Sequence, residues 1–150
     1  MNTKDFSTTL VVDQPPQEVF NAINNVKGWW SESIEGNSTQ VNDEFIYRYK
    51  DLHYSKQRLI EVVPNQKVVW QVLDSELSFI KDKKEWNGTT ISFDISKKGE
   101  KTELRFTHHG LTPAIECFSA CTGGWNHYLK KSLFPLITQG KGLPAMEIES

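Results

Sequence analysis

Apolar and polar residues alternate along much of this chain, and the alternation lays out a series of strands. In residues 6–13, Phe6, Thr8, Leu10 and Val12 share one parity, the period of a strand with one covered face. Pro15-Pro16 ends that strand, and proline suits the first turn of a helix. Val19, Phe20 and Ile23 follow at helical spacing, so residues 17–23 are predicted as a short amphipathic helix. Asn24-Asn25 breaks it, and residues 26–33 form a second helical turn or tight loop around Gly28-Trp29-Trp30. Neighbours on such a turn point about 100° apart, so one indole is expected inside and the other wetter.

Several strands come next. Phe45, Tyr47 and Tyr49 share a parity in residues 44–50. In residues 54–63 the pattern is less clean, and Ile60 and Val62 carry Lys56 and Arg58 onto the face read as inward. Pro64-Asn65-Gln66 is a hairpin turn. Val68, Trp70 and Val72 face inward in residues 67–73, as do Ile91, Phe93 and Ile95 in residues 89–96. After a turn at Lys98-Gly99-Glu100, Leu104, Phe106 and His108 share the inner face of residues 102–108. One greasy face and one solvated face predict an antiparallel sheet covered on one side.

The cover is the last element. Thr112 as cap and Pro113 at the first position open a helix whose apolar face runs through Phe118, Trp125, Leu129, Leu133 and Leu136. Pro135 should end or kink it near its last turn. Gly123-Gly124 costs about 1 kcal/mol per glycine inside a helix, which close packing of the sheet backbone, or a bend of the helix that shapes a cavity, would offset. Residues 140–150 read as a loosely held tail. The chain is read as one α+β domain over residues 1–150, with its core in about residues 6–136.

Composition narrows the function. A chain of 150 residues buries roughly 68–70% of its surface, enough for a core without staples. The net charge of -2, with no clustered basic face, excludes nucleic acid as a partner. No apolar run approaches the ~20 residues of a membrane span, and the N-terminus lacks a basic-then-apolar signal pattern. The cytoplasm is therefore the expected compartment. Cys117 and Cys121, four apart on one predicted helix face, read as small reduced thiols, because a bond between them would distort the helix. They lack two further donors, so no metal site is expected.

The order of elements, together with several short segments, resembles a known family. Residues 15–23 (PPQEVFNAI) are similar to the usual first helix of START-like domains. Trp29-Trp30, Trp86-Asn87-Gly88-Thr89, the run from Phe106 to Leu111, and Gly124-Trp125 with Tyr128 and Ser132-Leu133 resemble the branch named for the activator of the heat-shock protein 90 ATPase. The resemblance spans about residues 6–136. It implies a helix-grip fold: a curved antiparallel sheet of about six to seven strands around a long C-terminal helix, with two short helices after the first strand. START-like relatives bind lipids, hormones or polyketides between sheet and helix, and a minority catalyse cyclisation or dehydration there. The activator itself carries an extra N-terminal domain that is its main chaperone-binding part. This chain is expected to have no room for one.

The candidate binding residues are those inward on the predicted sheet and helix: Trp30, Tyr47, Tyr49, Arg58, Trp70, Phe93, Phe106, His108, Phe118 and Trp125. Arg58 is expected to meet a protein carboxylate, water or an acidic ligand if it is buried, since a buried guanidinium needs a partner, unless a twist at the strand end turns it to solvent. His108 is the one candidate acid or base, but no carboxylate falls on the inner parity beside it. Neither a phosphate-cradling loop nor a dinucleotide fingerprint is present, so no cofactor is expected. The expected function is binding of a small apolar or amphipathic ligand, with an acidic group as one option through Arg58. The alternatives are a chaperone-associated module and a cyclase- or dehydratase-type enzyme using His108. A monomer or a homodimer fits either.

Overall fold

The structure is a computed structural model that describes residues 5–31, 34–49, 53–78, 81, 84, 86–112 and 118–144, apart from the side chain of Tyr49. Strand β1 (Phe6–Val12) is followed by helices α1 (Pro16–Asn24) and α2 (Val26–Trp29). Six strands come next: β2 (Glu35–Gly36), β3 (Glu44–Tyr49), β4 (His53–Val63), β5 (Lys67–Leu77), β6 (Thr90–Lys98) and β7 (Lys101–His109). The chain then runs through α3 (Phe118–Tyr128), a π turn (Leu129–Leu133) and α4 (Phe134–Gln139). All seven strands join one antiparallel sheet in the order β1-β7-β6-β5-β4-β3-β2. The short β2 went unread in the sequence, because two exposed residues carry no periodicity.

Two register shifts decide what the inner face holds. Gln57 pairs with Val72 after Lys56 pairs with Asp74, and Glu61 pairs with Val69 after Leu59 pairs with Trp70. One residue on each strand is thereby left out of the ladder, Leu73 on β5 and Ile60 on β4, the mark of a bulge. Ser55, Gln57 and Leu59 face inward, while Arg58 and Ile60 face solvent. The assignment of Arg58 to the interior is thus corrected. Ile60 and Val62 had suggested the opposite parity, but the bulge leaves Ile60 43% exposed.

The helices cover the sheet unevenly. Close backbone packing occurs where α1 meets β5 and β6, and where α4 meets β1. Among the described residues α3 reaches the sheet through side chains, chiefly the Trp125 indole, whose ring lies 4.7 Å from Phe106 and 5.2 Å from Trp30. A Cβ built on Gly123 or Gly124 would meet no described atom within 4 Å. The glycine pair is therefore not explained by close packing on the sheet, as its sequence had suggested; both positions open outward.

Pro135 does not end the helix. Phe134 donates its N–H to the carbonyl of Leu129, five residues back, and Pro135 falls in the first turn of α4, where a missing N–H costs little. The predicted start at Thr112-Pro113 lies partly outside the described residues, as does the end of the tail. Residues 141–144, though, are held. Ser132 Oγ donates to the Trp29 carbonyl at 2.6 Å and accepts the Leu143 N–H at 2.7 Å. A Cβ on Gly142 would approach the Gly28 carbonyl oxygen far inside van der Waals contact, so only glycine passes. Gly142→Ala is expected to lift this strap and cost about 1–3 kcal/mol, as other overpacked sites do. Urea melts check this, and a loss below about 0.5 kcal/mol would show the strap to be loose.

Candidate ligand-binding site

Most of the predicted aromatic residues converge in one stack. Trp30 lies at its centre, 4.2 Å from Tyr47 and 5.7 Å from Trp70, with all three rings near parallel. Trp70 continues to Phe93 at 4.9 Å, and Phe93 to Phe106 at 5.3 Å. Trp125 closes the set against Phe106, Trp30 and Trp86. Each of these rings is buried. Phe118 is only partly buried and packs at the edge of the core, and the side chain of Tyr49 lies outside the described residues. Trp29 corrects the expectation that one of the paired indoles is wetter. Both are buried, because α2 sits inside the curve of the sheet, where Trp29 meets Phe93 and Trp30 meets Tyr47.

His108 is held by hydrogen bonds on both nitrogens. Trp125 Nε1 can only donate, so His108 Nδ1 accepts from it at 3.1 Å. The ring proton must then sit on Nε2, where it is donated to Thr89 Oγ1 at 2.9 Å. Thr89 passes its own proton to the Trp86 carbonyl at 2.7 Å. Burial pushes the His108 pKa down to about 3, with His109 and His53 adding smaller repulsions. A neutral histidine with both nitrogens engaged ties β7 to α3 and to the loop before β6. It is a structural group.

Arg58 sits on the opposite face. Its Nε donates to Glu44 Oε2 at 2.9 Å across the β3–β4 pair, and Lys56 joins the same carboxylate at 3.2 Å. The hydrogen bond from Arg58, followed by that from Lys56, holds the Glu44 carboxyl below its usual range. The carboxylate that Arg58 needs is thus supplied on the surface, away from any interior guest.

Other residues occupy the place expected of Arg58. Ser55, Gln57 and Ser75 are fully buried on the inner face of β4 and β5. Gln57 Nε2 donates to Ser55 Oγ at 2.5 Å, and Ser75 Oγ donates to Asn87 Oδ1 at 2.7 Å. Four buried polar atoms nearby have no partner among the described residues: Gln57 Oε1, His53 Nε2, Trp70 Nε1 and Trp86 Nε1. The His53 ring stands perpendicular to Trp86 at 4.7 Å and to Tyr47 at 4.9 Å, and burial pushes its pKa down to about 3. Tyr47 and Tyr128 bring their hydroxyls within 3.3 Å, joining β3 to the end of α3. Unpartnered buried polar atoms are uncommon and call for an explanation.

The sequence did not single out Ser55, Gln57, Ser75 or His53. Charge, rather than hydrophobicity, would have found the first two. Ser55, Gln57 and Leu59 carry no charge, while Lys56 and Arg58 carry one each. A surface groove of about 450 Å3 between α1 and α4, lined by Gln14, Asn21, Asn25 and Gln139, includes none of the predicted residues. Cys121 is disulfide-bonded, which corrects the expected reduced thiol. Cys117, the chain's other cysteine, lies outside the described residues. No described helix is long and apolar enough to cross a membrane.

An antiparallel sheet curved around one C-terminal helix defines a helix-grip, START-like domain. The chain belongs to the family of Activator of Hsp90 ATPase homolog 1-like proteins, whose family model matches residues 13–134. Similar solved structures include the Aha1 dimer from Colwellia psychrerythraea, at 22% identity and a TM-score of 0.74, covering 93% of this chain and 99% of that one. The protein SSP2350 from Staphylococcus saprophyticus shares 17% identity with a TM-score of 0.65, over 96% of this chain and 99% of its own. CalU16 from Micromonospora echinospora shares 14% at a TM-score of 0.60, over 87% and 73%. At these identities the likeness is one of fold. No curated protein matches the chain by sequence.

Proposed function

We propose that the protein binds a small apolar or amphipathic molecule between the sheet and α3. The observation that carries this is the group of four buried polar atoms on the inner side of the domain that have no partner among the described residues. Leaving each such atom unsatisfied costs about 1–3 kcal/mol, a cost that a guest with matching groups would relieve. The aromatic stack supplies the apolar wall, and Ser55 and Ser75 hold the polar groups around it in place. Within this scheme His108 positions Trp125 and Trp86 and does no acid–base chemistry. The cytoplasm is the compartment we assign.

Native mass spectrometry of protein purified without denaturation tests the proposal. The expected result is an additional mass that organic solvent removes, and a saturable change in tryptophan emission when apolar compounds are added back. A bare chain mass together with a flat titration across a broad apolar panel would sink it. The same spectra give the subunit count. The Colwellia psychrerythraea protein is described as a dimer, which makes a homodimer the alternative to a monomer. Family membership also favours a second role, as a module acting on a chaperone ATPase through its outer surface. Faster ATP turnover by heat-shock protein 90 on adding the chain would support that role.

A further inference from the structure

We infer that the interior site selects an uncharged guest, one that offers both a hydrogen-bond acceptor and a donor on an apolar ring body, and that it rejects carboxylates. This rests on the binding function proposed above and adds the chemical class of the ligand.

The unpartnered atoms define that class. Trp70 Nε1 and Trp86 Nε1 carry protons and can only donate, so each requires an acceptor such as a carbonyl or hydroxyl oxygen. Gln57 has committed its amide nitrogen to Ser55, which leaves Oε1 as an acceptor in search of a donor. His53 Nε2 accepts or donates according to the ring's tautomer, so it can answer a guest of either kind. A hydroxyl or a primary amide can answer both kinds of group. An ionised carboxylate can only accept, and would leave Gln57 as it is.

Charge points the same way. Among the described residues, no Lys, Arg, Asp or Glu is buried. The cations nearest in sequence to the site, Lys56 and Arg58, lie on the outer face and share Glu44. A carboxylate placed inside would therefore meet hydrogen-bond donors but no counter-charge. Burying an ionised group without one is far costlier than burying a hydroxyl that is hydrogen-bonded. This reverses the acidic ligand that the sequence had suggested through Arg58.

The test uses the full chain and four probes of one shape: naphthalene, 2-naphthol, 2-naphthamide and 2-naphthoate. Their affinities are measured by calorimetry near neutral pH. Naphthol and naphthamide are expected to bind at least about 10-fold more tightly than naphthoate, the ratio that one satisfied buried group supplies. Gln57→Leu should reduce the naphthamide affinity about 5- to 10-fold and leave naphthalene unchanged, while Arg58→Met should alter none of the four. If Gln57→Leu fails to fold, Trp86→Phe removes an N–H while keeping a ring, and should weaken naphthol in the same way. Naphthoate binding as tightly as naphthol would overturn the inference and leave the binding function standing. Equal affinities for naphthalene and its two neutral derivatives would also overturn it, because the polar atoms would then be contented with water. If none of the four binds, the proposed function falls and this inference with it.

Discussion

Replacing Trp30 by alanine is expected to lower the unfolding free energy by about 3–5 kcal/mol, the usual loss for a large aromatic removed from a core. Few positions in the chain should cost more. The Trp30 ring touches Trp29, Phe45, Tyr47, Trp70 and Trp125, so its removal opens a gap shared by α2, α3 and two strands. Domains of this size have about 5–15 kcal/mol in total, so a large part of the stability goes with one side chain. The midpoint of a thermal melt should fall by roughly 10–15 °C. Trp29→Ala should be comparably damaging, because that ring meets Trp70 and Phe93 and its Nε1 donates to the Ile23 carbonyl. A loss under about 1.5 kcal/mol at Trp30 would mean that the surrounding rings can close the gap by themselves.

The second large effect is a loss of stability in mild acid. His53 and His108 both have folded-state pKa values near 3, against 6.5 in the unfolded chain. Because the folded value lies below the unfolded one, the unfolded state takes up protons first as the pH falls. The contribution is complete above about pH 6.5 and declines from there toward pH 3, by about 1.4 kcal/mol per unit for each histidine. Between pH 6.5 and pH 5 the pair should cost roughly 4 kcal/mol together. The faces of His53 that are described meet Tyr47 and Trp86, and those of His108 meet Trp86, Trp125 and Thr89, so no described carboxylate offsets the effect. Urea melts at pH 7 and pH 5 measure it. A variant with glutamine at both positions should show a much flatter dependence. If wild type and variant lose the same amount over that interval, surface carboxylates rather than the two histidines are responsible.

The sequence made the sheet legible because its period-two pattern is strong in β1, β6 and β7, where pairing is regular. It misled in β4, where a bulge at Ile60 breaks the alternation and an aliphatic side chain faces water. The error moved Arg58 inward and hid Ser55 and Gln57, which are small or neutral and leave no mark on a hydrophobic pattern. The aromatic members of the site were readable one by one. What could not be read was their mutual stacking, since contacts such as Trp30 with Tyr47 and Trp125 depend on how three separate elements close on one another. His108 was placed on the correct face, but its role depends on Trp125 and Thr89, which lie far from it along the chain.

The π turn has a consequence for the phase of the last helix. Cys121, Trp125, Leu129, Leu133 and Ile137 are all buried, and they follow one another at every fourth residue. At 3.6 residues per turn, each step of four overshoots by about 40°, so a regular α-helix would swing Ile137 about 160° away from Cys121. One widened turn at Leu129–Leu133 holds an extra residue and brings everything after it back by about 100°. The row thereby stays on one side, and α4 can lie against α1 and β1 while Trp125 faces the sheet. Deleting one residue from Lys130-Lys131 should therefore be absorbed by closing the π turn into regular α-helix, with Ile137 kept against its neighbours. Inserting one there would instead rotate Ile137 off them and uncouple the two halves of the cover.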